Sequence, residues 1–236
     1  MFTDGVPSRP AYYGSHRLVV FDLDGTLIDS KPVMVHAFRT AYAEVVGRGE
    51  APVDSFLRLL GAPFPEILAR LGLPHQMYEP FRAASRAGIE HIRAHEDVLT
   101  VCEAVRDAGC RTAIYTGKDR ERTVEILDRF GLWRLCDGIA VGDDPQAGKP
   151  APDGVYQLCR TLAADPVDTV VVGDSALDMQ AGRAAGAGTV GCLWGIGTEE
   201  ELRSAGADVV VADPLQLQTA LARWRQRTGM VMVEAR

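Results

Sequence analysis

The chain has 236 residues, enough for one large domain or for a core domain carrying a smaller insertion. With 47% hydrophobic and 24% charged residues, it has the composition of a globular protein with a real core. Its net charge of −7, without any Lys/Arg cluster, argues against a nucleic-acid surface or an anionic-membrane patch.

In chain order, residues 1–16 mix polar and aromatic side chains without a hydrophobic leader, and they read as a flexible arm. The apolar run 18–21 reads as a buried strand, followed at once by Asp22, Leu23, Asp24, Gly25 and Thr26. Successive strand residues alternate faces, so Asp22 and Asp24 leave the strand end on the same side. Two carboxylates there repel each other and lose hydration, and a hard divalent cation is the simplest compensation. A calcium loop is excluded, because its sixth position holds no glycine and its twelfth no glutamate.

Between Ser30 and about Ala94 there is no strand pattern, only helical stretches separated by Gly and Pro. Val33, Ala37, Ala41 and Val45 keep one face apolar, and further helices fall near 55–60, 65–71 and 79–95. About 65 residues of helix placed directly after the first strand predict an inserted helical bundle, a cap that leaves and rejoins the core beside Asp22. His91 and His95 share one face of the last helix in this reading, a solvated face for want of a third ligand.

Beyond the insertion, β-branched runs at 112–115, 138–141, 169–172, 189–193 and 208–211 alternate with helical patterns at 98–108, 120–130, 154–162 and 178–187. Gly109, Gly131 and Gly188 read as helix stops. The alternation implies parallel βαβ units, hence an α/β fold with a doubly wound, Rossmann-like sheet. The expected boundaries are a core at 17–29 and 96–228, a cap at 30–95 and a tail at 229–236. Cys102, Cys110, Cys136, Cys159 and Cys192 are scattered among apolar neighbours and form no Cys-x-x-Cys pair, so they read as buried, reduced thiols. No apolar run approaches the roughly 18 residues of a membrane span. The expected location is the cytoplasm.

Ligands of open α/β sheets bind outside the carboxyl ends of the strands. Those ends supply Asp22 and Asp24, then Thr116, Gly117 and Lys118, then Asp174, Ser175 and Asp178. Gly148-Lys149-Pro150-Ala151-Pro152 adds a lysine held by prolines. Lys118 reads as an exposed side chain. The set suits phosphoryl transfer through an aspartyl-phosphate. One Asp attacks phosphorus, already ionised at neutral pH, and a second carboxyl protonates the leaving alkoxide and then activates water. Two further carboxylates help hold Mg²⁺, while Thr116, the following N–H groups and Lys149 bind phosphate oxygens.

The stretches 22–30, 115–118, 148–153 and 173–178 resemble the four motifs of the haloacid dehalogenase superfamily, and the likeness spans 17 to about 220. The resemblance implies that Asp22 is the nucleophile and Asp24 the general acid/base. It also implies phosphate contacts from Thr116, Gly117 and Lys149, and a Mg²⁺ site of Asp22, the Asp24 carbonyl, Asp174 and Asp178. Gly117 stands where members often carry Asn. Residues 193–197 with 205–208 are similar to the phosphoglycolate phosphatase-like branch. Fragments at 41–47, 64–68 and 71–74 resemble phosphatases associated with 3-amino-5-hydroxybenzoate synthesis in antibiotic pathways.

The implied activity is a Mg²⁺-dependent phosphatase acting on a small phosphorylated metabolite, such as phosphoglycolate or a sugar or amino-sugar phosphate. A sugar-phosphate mutase uses the same core residues and stays open, as does a non-catalytic binding protein on this scaffold. Asp24 argues against a dehalogenase, and Lys31 is the sole lysine of 30–95, which argues against a Schiff-base phosphonatase. Substrate choice falls to the cap turn Gly61, Ala62, Pro63 and Phe64, with Arg58, Arg70 and His75 as nearby polar candidates. No nucleic-acid or membrane partner is expected, and the chain reads as a monomer or homodimer.

Overall fold

The computed structural model describes residues 16–145 and 148–227. The expected arm before His16 and the tail 229–236 lie outside the described residues. Strand β1 (His16–Phe21) leads into the two-residue β2 (Ile28–Asp29) and four helices, α1 (Lys31–Val45), α2 (Val53–Leu57), α3 (Phe64–Arg70) and α4 (Tyr78–Ala87). A second short strand, β3 (Arg93–Ala94), returns the chain to an alternating series. That series runs α5 (Glu96–Asp107), β4 (Arg111–Tyr115), α6 (Arg120–Phe130), β5 (Gly138–Ala140) and α7 (Asp153–Thr161). It continues with β6 (Ala164–Gly173), α8 (Ala176–Ala185), β7 (Gly188–Cys192), α9 (Glu199–Ser204), β8 (Val209–Val211) and α10 (Pro214–Arg227).

Six strands form one sheet in the order β5-β4-β1-β6-β7-β8, and every pairing in it is parallel. The chain winds from β1 through β4 to one edge, then from β6 through β7 to the other. This reversal opens a crevice at the carboxyl end of β1, between the ends of β4 and β6. A parallel sheet is covered on both faces, which is why β1 is a continuous apolar run rather than an alternating one. Val19 and Phe21 pack with Val98, Ile126 and Leu217 on one face, and Leu18 and Val20 pack with Val155, Leu158 and Ala181 on the other. The α/β class with a helical insertion matches the expectation.

The insertion has a core of its own. Phe38 and Phe56 stack with ring centroids 4.2 Å apart, and Phe64 and Phe81 with centroids 3.7 Å apart. Leu177, in the first turn of α8, belongs to this second cluster, so the helices rest on the sheet beside the crevice.

Three local expectations are corrected. The interval 30–94 does contain a strand, because β3 pairs antiparallel with β2 (Ile28↔Ala94, Asp29↔Arg93) where the insertion leaves and rejoins the core. A two-residue ribbon carries no periodic signal. The helix expected over 79–95 ends at Ala87, capped by Gly88, and a 3₁₀ turn at Ile89–His91 follows. His91 and His95 therefore share no helix face; the N–H of His95 donates to Leu27 O at 2.9 Å, ahead of α5. Gly186, not Gly188, stops α8 in the left-handed conformation, and Gly188 opens β7.

Phe56 is fully buried and central to the second cluster. Phe56→Ala is expected to cost about 3–5 kcal/mol, read as a lower urea midpoint by circular dichroism. A loss below about 1 kcal/mol would show that the insertion does not depend on this aromatic stack.

Candidate active site

Asp22 follows the last residue of β1, and its N–H donates to Val172 O of β6 at 2.8 Å, so the sheet itself positions the carboxylate. Asp174 follows β6, and Asp178 sits in the first turn of α8. Ser175 caps that helix and forms a capping box with Asp178, whose Oδ2 accepts from Ser175 N–H at 3.0 Å. Lys149 comes from the loop after β5 and is 1% exposed. Its Nζ donates to Asp22 Oδ1 at 2.7 Å and to Asp178 Oδ1 at 2.6 Å, and it lies 4.9 Å from the centre of the Tyr115 ring.

Asp174 is clamped differently. Its Oδ2 accepts from Ile196 N–H at 2.8 Å and its Oδ1 from the Thr26 hydroxyl at 3.3 Å. Gly25 adopts φ +76°, and a Cβ there would lie 2.2 Å from Asp174 Oδ2. Only glycine satisfies both the turn and the close approach.

One carboxylate oxygen each from Asp22, Asp174 and Asp178 lies within 4.8 Å of the others, all three residues being buried. Burial, then Asp178, Asp174 and Asp24, push the Asp22 carboxyl well above the usual carboxylate range against the pull of Lys149. Burial, reinforced by Asp178, raises Asp174 to about 7, with the Ile196 N–H opposing. Burial disfavours the charge on Lys149, but Asp178 and Asp22 outweigh it and raise its pKa. One ammonium thus faces three acids. The excess negative charge and the all-oxygen donor set fit a hard divalent cation such as Mg²⁺.

Asp24 faces the other way. Its two oxygens receive Lys118 Nζ at 2.5 and 2.6 Å, and its Oδ1 also accepts from the Ser30 hydroxyl. Lys118 is thus not exposed: only 7% of its side chain is accessible, because the turn after β4 directs it inward. Thr116 is buried, and its hydroxyl accepts from Lys118 N–H at 3.2 Å.

Gly117 has a role that its place in the motif does not reveal. A Cβ there would lie 2.4 Å from Gly61 O and 2.7 Å from the Ala62 carbonyl. The missing side chain is the space into which the turn of the insertion docks.

Gly61, Ala62, Pro63 and Phe64 therefore do line one cavity with Asp22, Asp24, Thr116, Gly117 and Lys118. Arg58, Arg70 and His75 are exposed and do not line it; Arg58 pairs with Ser55, Arg70 with Glu66, and His75 stacks on Tyr78. In their place the cavity has Tyr78, Phe81, Arg82 and Ser85 of α4, and Arg122 of α6. The α4 residues lie at i, i+3, i+4 and i+7, the spacing of one helix face, which was a usable signal. Nothing local marks Arg122.

The family described as haloacid dehalogenase-like hydrolase matches residues 19–192. The pyrophosphatase PpaX of Halalkalibacterium halodurans is 29% identical over 201 residues, 82% of this chain and 91% of that protein. A phosphoglycolate phosphatase of Xylella fastidiosa is 31% identical over 206 residues, 82% of this chain and 87% of that protein. A solved hydrolase from Pseudomonas syringae superposes with a TM-score of 0.80 at 26% identity, over 88% of this chain and 98% of that one.

Two measurements probe this geometry. An acid whose folded pKa exceeds its unfolded value binds more protons when folded, so Asp174 withdraws stability as pH rises from 3.8 to about 7. Metal-free protein is expected to melt at progressively lower temperature across that window. Mg²⁺ should restore stability most above about pH 7, where protons no longer compete for the carboxylates. An equal Mg²⁺ effect at acid and neutral pH would count against this cluster as the cation site. Gly117→Asn is expected to lift the 60–64 turn, seen as roughly tenfold faster amide exchange there with sheet exchange unchanged.

Proposed function

This chain is a phosphatase belonging to the haloacid dehalogenase-like hydrolase family, and we propose that it hydrolyses a small phosphomonoester through an aspartyl-phosphate on Asp22. The observation that carries this reading is the pairing of two differently held carboxylates. Asp22 lies among Lys149 and two further acids, and Asp24 opens into the same cavity with its own lysine. Two carboxylates in unlike environments are the arrangement that divides nucleophile from proton carrier.

In the first step an Asp22 oxygen attacks phosphorus, the bond from phosphorus to the ester oxygen breaks, and the departing oxygen takes a proton from Asp24. In the second, Asp24 takes a proton from water, which attacks phosphorus and breaks its bond to Asp22, releasing phosphate. Thr116, the Gly117 N–H and Lys149 hold phosphate oxygens. Asp22, Asp174 and Asp178, with the Asp24 main-chain carbonyl, are the oxygens that would hold Mg²⁺, which supplies charge neutralisation between nucleophile and phosphate when bound. Lys118 holds the two Asp24 oxygens at the cavity wall, fixing where that side chain can exchange a proton with the leaving group and with water.

The helices of 30–95 act as a cap over the core of 17–29 and 96–228, and the 61–64 turn faces the leaving group. The substrates named for the relatives, pyrophosphate and phosphoglycolate, head the panel to be tested, followed by sugar and amino-sugar phosphates. No helix among the described residues is long and apolar enough to cross a membrane. The described cysteines are free, which suits a reducing cytoplasm.

Asp22→Asn is expected to abolish phosphate release while the far-UV dichroism stays native, and Asp24→Asn to lower turnover by about 10²–10⁴-fold. Acid quenching should trap a phosphoryl group on the wild type at Asp22, located by mass spectrometry. Chelation should silence the enzyme and Mg²⁺ restore it. Near-native activity in Asp22→Asn would remove the covalent route, and isomer formation without phosphate release from a sugar phosphate would mark a mutase.

A further inference from the structure

Two cavities meet above the strand-end acids, and Asp22, Asp24, Leu60 and Gly61 line both. The first also has Thr116, Gly117 and Lys118 in its wall, the phosphate side of the site. The second instead has Asp174, Ser175 and Trp194, the side of the three-acid cluster. Gly61 is the partition between them. It adopts φ +103°; its carbonyl oxygen would lie 2.4 Å from a Cβ at Gly117, and a Cβ of its own would lie 3.1 Å from Ser175 Oγ. The cap turn is thus wedged between the end of β4 and the start of α8, with a cavity on either side.

The second cavity has a volume of about 40 Å³, room for about three ordered waters. That space suits a small ion keeping part of its water shell, and it is too small for a phosphorylated substrate. Lys31 in its lining is exposed, and Asp29, Gly195 and Ile196 are half-buried, so it reaches the surface on its own side of Gly61.

The two linings also differ in how their charges are matched. On the substrate side Lys118 is held by Asp24, and Arg82 by Asp119 and Glu121. On the metal side Asp29 has no ion-pair partner among the described residues; its Oδ1 accepts the Lys31 N–H at 3.3 Å. Arg93, opposite Asp29 in the β2–β3 ribbon, turns its guanidinium to the carbonyls of Glu90 and Ile92 instead. An unmatched carboxylate in a low-dielectric cleft that leads to further acids concentrates cations there.

We propose that the divalent cation reaches Asp22, Asp174 and Asp178 through this second cavity, drawn in by Asp29, while the substrate occupies the first. The proposal rests on reading the acid cluster as the cation site.

The test is the association rate of Mn²⁺ with the metal-free protein, followed by stopped-flow quenching of tryptophan fluorescence, with calorimetry giving the dissociation constant. Trp194 in the cavity wall is the reporter. Asp29→Asn keeps an acceptor for the Lys31 N–H and removes the charge. It is expected to slow association about three- to fivefold in about 20 mM KCl, and by less than about 1.5-fold in about 0.3 M KCl, where the charge is screened. Lys31→Gln should speed association about twofold, which damage to the fold would not do. Asp143→Asn, in the wall of the first cavity, should leave the rate unchanged. An equal slowing in Asp143→Asn, or an effect of Asp29→Asn confined to dissociation, overturns the separate route. Wild-type protein that binds neither Mn²⁺ nor Mg²⁺ would instead remove the cation site, and the route with it.

Discussion

The structure turns on one buried cation. Lys149 Nζ bridges Asp22 and Asp178 with all three side chains at most 3% exposed. Removing one partner from a buried ion pair strands the other in a medium that solvates it poorly, at a cost of about 3–5 kcal/mol. The surrounding backbone is arranged to keep these charges together. The end of β1 supplies Asp22, the first turn of α8 supplies Asp178, and the loop after β5 delivers the lysine. One ammonium faces three acids, and this residual charge is what a hard divalent cation or protonation of the acids would offset.

The second organising feature is a division of labour between two cores. The sheet and its flanking helices hold the charges rigidly, while the aromatic cluster of the insertion shapes the space above them. The two meet where backbone touches backbone, Gly61 and Ala62 against Gly117. Gly117, in the turn after β4, thereby sets how closely the insertion approaches the strand ends.

Between α4 and α6 lies a ladder of ion pairs that joins insertion to core. Most of its members are substantially exposed, so each contributes little stability in salt. Its buried member is Arg122, anchored to the main-chain oxygen of Ser85 across the junction. The ladder neutralises the rim of the cavity, and that electrostatic consequence outweighs its small energetic one.

The strand-end acids, Thr116, Lys149 and the αβ alternation were legible in the amino-acid sequence, because each is written locally. A buried parallel strand demands an unbroken apolar run, and a catalytic side chain at its carboxyl end must follow within a few residues. The β2–β3 ribbon, the inward turn of Lys118 and the separation of His91 from His95 were not legible. Short ribbons have no period, and the aim of a long side chain is decided by what packs around it. Arg122, Arg82 and the space at Gly117 likewise take their meaning from partners 30 or more positions away. The fold class and the cluster of acids at the strand ends could be read in advance, since both are written in local pattern. The shape and charge of the cavity could not, since they arise where the insertion packs against the core, from residues far apart in the chain.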